Sequence, residues 1–129
     1  MPFMVYNGAM RHPNPRSSRL TSARDFQRLF KSGRRLQSGP LRLVWLTEGV
    51  EGVRYATVTG RKVGNAVVRN RVRRRLRELF RLNRHLFKNP AHLALVAGPG
   101  AGELPGNELR RLALELWDRA GLLGSEDGP

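Results

Sequence analysis

Gly64-Asn65-Ala66-Val67-Val68-Arg69-Asn70-Arg71-Val72-Arg73-Arg74-Arg75-Leu76-Arg77-Glu78 is the stretch on which this chain turns. At 100° per residue, Val68, Val72, Leu76, Leu79 and Phe80 fall within one arc of about 120°, so the stretch predicts a helix with a single buried stripe. Arg71, Arg73, Arg74, Arg77 and Arg81 spread over the remaining surface. Like charges at i,i+4, such as Arg69 with Arg73 and Arg73 with Arg77, strain such a helix in isolation. Packing of the stripe must offset that strain, and neutralisation by an anion would relieve it further.

From Gly60 to Lys88 the chain carries Arg61, Lys62, Arg69, Arg71, Arg73, Arg74, Arg75, Arg77, Arg81, Arg84 and Lys88 against one acid, Glu78. The whole chain of 129 residues has a net charge of +14, so most of the excess lies in this segment. A solvated face normally mixes signs, and this one does not. A polyanionic partner follows, with nucleic acid the usual one and an anionic membrane surface the rival. The helix's apolar arc lacks aromatics apart from Phe80, which disfavours the membrane surface. Arginine greatly outnumbers lysine, which suits forked phosphate contacts or reflects a coding bias of the genome. Charge alone does not choose RNA over DNA. A helix-turn-helix would need a second helix just before Gly60, and none is visible there.

Working outward, Ser22 and Asp25 form a capping-box signal for a helix carrying Phe26, Leu29 and Phe30, with Gly33 ending it. Leu41–Leu46 alternates as a strand with Leu41, Leu43 and Trp45 on one face. A turn over 47–52 and a second strand over Val53–Thr59 predict a hairpin. His92–Ala97 reads as a buried strand and the glycine-rich 98–106 as a loop. Asn107 is placed to cap a last helix through Leu109, Leu112, Ala113 and Leu116, stopped at Gly121. Residues 1–18 read as a flexible basic arm, 19–123 as one domain and 124–129 as a frayed tail. No internal repeat is visible. Without cysteine, disulfides, zinc thiolates and Cys nucleophiles are excluded. No apolar run reaches the length needed to span a bilayer and no signal-peptide core precedes Pro15, so a cytoplasmic location is expected.

The sequence from Gly64 to Glu78 resembles the arginine-asparagine-arginine motif of the bacterial ribonuclease P protein family. Arg19-Leu20 followed by Asp25-Phe26 and Phe30 resembles that family's first helix. The strand at Leu93–Ala97 and helix at Leu109–Trp117 fall where its last two elements stand. The likeness covers roughly Arg19 to Leu122.

The resemblance implies an α/β (α+β) two-layer sandwich, a small central sheet flanked by helices in a ribosomal-protein-like fold with a left-handed β-α-β crossover. It implies a subunit of a ribonucleoprotein endoribonuclease, a hydrolase that removes the 5′ leader of precursor tRNA. The catalytic RNA would carry the chemistry with Mg²⁺, the protein binding no metal and supplying no catalytic residue. The implied partners are that RNA and precursor tRNA, with no membrane and no obligate protein partner. Arg61, Lys62 and Asn65 would be loop contacts to RNA, and Arg69, Asn70, Arg71, Arg73, Arg74 and Arg77 helix contacts. Asn70 could read a base edge or 2′-hydroxyl, or instead brace its neighbours. Phe26, Phe30, Arg42 and Val44 would line a cleft for the single-stranded leader, though Phe30 also fits a core position.

Gly60, Gly98 and Val44 depart from the family's usual residues: Gly60 where Ser, Thr or Ala is common, Gly98 where a basic residue follows the last strand, Val44 where an aromatic often stands. The residues alone agree with a protein that does not cut: Glu78 stands without a paired acid, and His12, His85 and His92 lie in three contexts without acid/base spacing. A protein-only nuclease using His85 and His92 is the enzymatic alternative. A non-enzymatic ribosomal RNA-binding protein is the rival reading of the fold.

Overall fold

The computed structural model describes residues 18–124; the predicted arm and tail, and His12, lie outside these apart from Ser18 and Gly124 at their margins. The elements run α1 (Ala23–Ser32), β1 (Arg34–Ser38), β2 (Leu41–Leu46), β3 (Val53–Thr59), α2 (Ala66–Asn83), β4 (Ala91–Ala97) and α3 (Gly106–Arg119). The strands form one mixed sheet in the order β1-β2-β4-β3.

The predicted hairpin between Leu41–Leu46 and Val53–Thr59 does not form. β2 instead pairs antiparallel with β1 on one side and with β4 on the other. β3 pairs only with β4 among the strands, in parallel, from Val53 opposite Ala91 to Thr59 opposite Ala97. Burial explains the choice. β2 has buried residues on both faces, Leu41, Leu43 and Trp45 on one and Val44 on the other, and β4 is apolar almost throughout. Two such strands belong at the centre of a sheet covered on both faces. β3 carries Arg54, Thr57 and Thr59 and takes the edge, where the chain segment before α1 lies against it: the Leu20 N–H donates to the Tyr55 carbonyl at 2.8 Å. Parallel neighbours need a crossover, and α2 is that crossover. The basic helix is therefore built into the topology, between the two parallel strands.

The helices cover both faces. Leu41, Leu43, Trp45, Tyr55, Leu93 and Leu95 pack against Val72, Leu76, Leu79 and Phe80 of α2 and Leu109, Leu112, Leu116 and Trp117 of α3. Phe80 sits at the centre, stacked on Tyr55 at 4.6 Å between centroids and tilted against Trp117 at 5.3 Å. On the other face Val44 and Ala94 meet Leu20 and Leu29, with Phe26 and Phe30 packed beside them.

α1 starts as expected, the Asp25 N–H donating to Ser22 Oγ at 3.2 Å. α3 starts two residues earlier than Asn107 suggested. Pro105 takes the cap position, its carbonyl accepting from the N–H groups of Glu108 and Leu109 at 3.0 and 3.1 Å. Asn107 thus lies within the first turn.

Candidate nucleic-acid interface

The approach to α2 is a single 3₁₀ turn, Arg61–Val63. Val63 is buried and anchors the turn, which leaves Arg61 and Lys62 exposed ahead of the helix. Gly64 follows with φ +153°, where a Cβ would approach Val68 Cγ1 to 2.9 Å. Asn65 then caps α2: the Val68 N–H donates to its Oδ1 at 3.0 Å. The expected RNA contact of Asn65 is thus, in the protein itself, a helix cap.

Beyond the cap the arginines divide into two rows on either side of the buried stripe. On the β3 side, Arg69 donates to the Gly64 carbonyl at 3.2 Å. Arg73 donates to Asn70 Oδ1 at 2.7 Å and to Thr59 Oγ1 at 3.4 Å. The bracing role left open for Asn70 is present, through its oxygen. Further along, Arg77, Arg81 and Arg84 together with Arg19 lie near the buried Tyr55. Burial pushes the Tyr55 phenol above its ordinary pKa, against the opposing pull of those arginines. On the α3 side, Arg71 donates to the Gly102 carbonyl at 3.1 Å and Arg75 to the Leu104 carbonyl at 3.5 Å. Arg74 points outward, exposed.

The partners matter more than their number. Arg69, Arg71, Arg73 and Arg75 are held by neutral oxygens, which fix direction without cancelling charge. Glu78, the one carboxylate on α2, pairs with Arg81. The result is a set of oriented guanidinium groups whose charge remains available to an outside anion.

Loop 98–106 is essential to this arrangement and sequence reasoning missed it. Its carbonyls hold Arg71 and Arg75 from 31 and 29 residues away. Gly102 comes so close to α2 that a Cβ there would lie 2.5 Å from Val68 Cγ1.

On the opposite face of the sheet, Phe26 and Phe30 stand half-buried with ring centroids 4.8 Å apart. Arg42 is exposed on the same face. Val44 requires a correction: it is wholly buried beneath Leu20 and Leu29 and cannot line an open cleft. The half-buried floor residues are instead Val96, opposite Arg42 in the register, and Ala56. Past Arg42 and Val96 a groove of about 540 Å³ continues between the Gln37–Pro40 turn and Gly98–Gly100. Gly98, which departs from the family's usual residue, donates its N–H to the Pro40 carbonyl at 2.8 Å, and both residues line this groove.

His92 is buried with Nε2 at 3.3 Å from the Glu51 carbonyl, and burial lowers its pKa. His85 is exposed in the turn after α2. Among the described residues there is no cluster of three or more His, Asp or Glu that could hold a metal, and no helix long and apolar enough to cross a membrane.

A small mixed sheet whose crossover helix presents braced, unneutralised arginines defines an α+β domain built to grip a polyanion. Comparison with known proteins gives that class its family: the Ribonuclease P model matches residues 15–121, and the chain belongs to the bacterial ribonuclease P protein family. The ribonuclease P protein component of Symbiobacterium thermophilum is 37% identical over 110 residues, covering 84% of this chain and 95% of that one. That of Dictyoglomus turgidum is 30% identical over 111 residues, covering 84% and 93%. Among solved structures, the RNase P protein from Thermotoga maritima superposes with a TM-score of 0.70 at 28% identity, covering 78% of this chain and 98% of that one. The Staphylococcus aureus RNase P protein shares the fold, with a TM-score of 0.75 at 20% identity, covering 83% and 98%. The chain is an RNA-binding component of a tRNA-processing ribonucleoprotein nuclease. The ribosomal-protein rival is not favoured.

Proposed function

We propose that the 3₁₀ turn and α2 dock this protein on the catalytic RNA, while the face between α1 and the sheet receives the 5′ leader of precursor tRNA. The observation that carries the reading is the bracing of Arg69, Arg71, Arg73 and Arg75 by neutral oxygens, which leaves their charge for phosphate. In the cytoplasm, where precursor tRNA is made, the protein screens repulsion between two RNAs and holds the leader in register. Phe26, Phe30 and Arg42 are the leader contacts, two rings for unpaired bases and one fork for phosphate. Mg²⁺ held by the RNA would activate water and stabilise the leaving oxygen. In this reading the ion belongs to the RNA, and the protein's part is binding and positioning.

The test is multiple-turnover cleavage of a 5′-extended precursor tRNA at low Mg²⁺ by a bacterial ribonuclease P RNA, with and without this protein. Stimulation of correct cleavage, lost when Arg69, Asn70 and Arg71 are all replaced by Ala, supports the reading. With about six phosphates neutralised, log K for RNA falls with log salt at a slope near −4 to −5. No stimulation, or a flat salt dependence, overturns it.

A further inference from the structure

Within the basic surface of α2 lies an apolar side chain that the electrostatic account does not use. Val67 is 71% exposed, the one large hydrophobic residue so placed among the described residues. Its nearest neighbours along the helix surface are Asn70 at i+3 and Arg71 at i+4. Either could lie over the isopropyl group, as long polar side chains commonly do. Both are drawn away. Asn70 is tied to Arg73 on the β3 side, and Arg71 to the Gly102 carbonyl on the α3 side. Val67 is left bare between two rows of cations, with exposed Ala66 next to it in sequence and exposed Arg74 two turns further on.

Helix formation does not explain a valine here, because a β-branched residue is a poorer helix former than alanine. Fold packing does not explain it either, since the buried stripe runs through Val72, Leu76, Leu79 and Phe80. An uncovered apolar side chain rimmed by polar groups matches the apolar-centre, polar-rim arrangement of an interface contact.

The surrounding charge selects the occupant. A cation-rimmed apolar spot suits a partner that offers an apolar face and phosphates within a few ångströms of each other. RNA offers that combination where a nucleotide is unstacked and its base face or ribose edge is turned outward, and not along a paired helix. We propose that Val67 packs against an unstacked nucleotide of the catalytic RNA, giving the helix a contact that recognises RNA shape as well as charge. This rests on the reading that α2 binds that RNA.

Salt separates the two contributions. Affinity for the cognate ribonuclease P RNA is measured over a series of salt concentrations for the parent, Val67→Ala, Val67→Leu and Arg74→Ala. Alanine is the better helix former, so Val67→Ala is expected to melt at or above the parental temperature. Removing two methyl groups from a buried contact weakens binding on the order of tenfold, with the salt slope unchanged. Val67→Leu stays near parental affinity. Arg74→Ala lowers the magnitude of the slope by about 0.9. A photo-crosslinker at position 67 should map to an unpaired nucleotide of the catalytic RNA.

Parental affinity of Val67→Ala overturns the proposal while Arg74→Ala still shows its slope change. A reduced slope in Val67→Ala also overturns it, because the side chain then merely positions cations. So does a crosslink to the precursor tRNA leader, or a change in sedimentation of the free protein that assigns the face to a second copy. If Arg74→Ala and the Arg69, Asn70, Arg71 replacement leave affinity and slope untouched, the RNA reading of α2 fails and this inference with it.

Discussion

Asn65 holds two roles that one pair of substitutions can pull apart. It caps α2 through its Oδ1, and it stands between the exposed Arg61 and Lys62 and the first arginine of the helix. Replacing Asn65 by Ala removes the cap, which costs about 1 kcal/mol, or about 4 °C in melting temperature for a domain of this size. Replacing it by Asp keeps an equivalent cap oxygen. The first turn of α2 contains no acid, so a carboxylate there also gains roughly 0.5 kcal/mol from the helix dipole, with Arg61, Lys62 and Arg69 close in sequence. Toward RNA the order reverses. A unit negative charge placed about 5 Å from a phosphate in water costs roughly 1 kcal/mol, a severalfold loss of affinity that the neutral alanine does not incur. Urea denaturation and RNA titration at fixed salt, below the melting range of every variant, give the two rankings. Stability should run Asp at or above parent, then Ala, while affinity should run parent, then Ala, then Asp. An Asp variant that unfolds as readily as the Ala variant would refute the cap, and one that binds RNA like the parent would refute the placement of this turn against phosphate.

Phe80→Ala, which deletes the ring between Tyr55 and Trp117, should cost about 3–5 kcal/mol in urea denaturation. A loss under about 1 kcal/mol would mean that the aromatic cluster is not the centre of the core. His92 is buried with a pKa below the ordinary histidine value of 6.5, so the unfolded chain binds the proton more readily. Its contribution is therefore complete above about 6.5 and falls away as pH drops toward the folded pKa. His92→Gln should flatten that part of the stability profile, and an unchanged profile would rule the residue out. Gly102→Ala places a methyl 2.5 Å from Val68 Cγ1 and 3.2 Å from the Val63 carbonyl, so the loop must move off α2. A loss of about 1–3 kcal/mol is expected, together with weaker RNA binding as Arg71 loses its brace. Full stability with parental RNA affinity would show that the loop does not organise the interface.

α2 was legible because its signal is local: five apolar residues in one arc, and charge of one sign on the rest. α1 was legible through Ser22 and Asp25, whose cap forms as the spacing implies. β1 was not, since Arg34–Ser38 has Leu36 as its only large apolar residue, and an exposed edge strand needs no more. The hairpin expectation failed because adjacency in sequence competes with burial on two faces, and burial decided in favour of β4 beside β2. Val44 failed for the same reason: alternation put it correctly on the face of Arg42, but only the third dimension shows Leu29 lying over it. The bonds from Arg71 and Arg75 to a glycine-rich loop some thirty residues away leave no periodic trace. Family resemblance supplied the expected site residues; the braces that orient the arginines among them are tertiary.

The arrangement of α2 also settles how a helix can remain this basic and still fold. Each like-charge pair at i,i+4 costs only a few tenths of a kcal/mol at the surface. Val72, Leu76, Leu79 and Phe80 each contribute roughly 1.5–3 kcal/mol on burial, several times the total repulsion along the Arg69, Arg73, Arg77 row. The apolar stripe therefore fixes the helix with a wide margin, and no acidic partners are required to hold it together. Acidic partners would in fact defeat it. A carboxylate in place of the Gly102 or Gly64 carbonyl would orient an arginine equally well and neutralise it at the same time. Bracing by carbonyl, amide and hydroxyl oxygens separates orientation from charge, and in the proposed docking on RNA phosphate would relieve the strain left in the free protein. That division of labour, apolar burial for the fold and neutral oxygens for the aim of each guanidinium, is what the proposed docking of the crossover helix on RNA requires beyond a link between two strands.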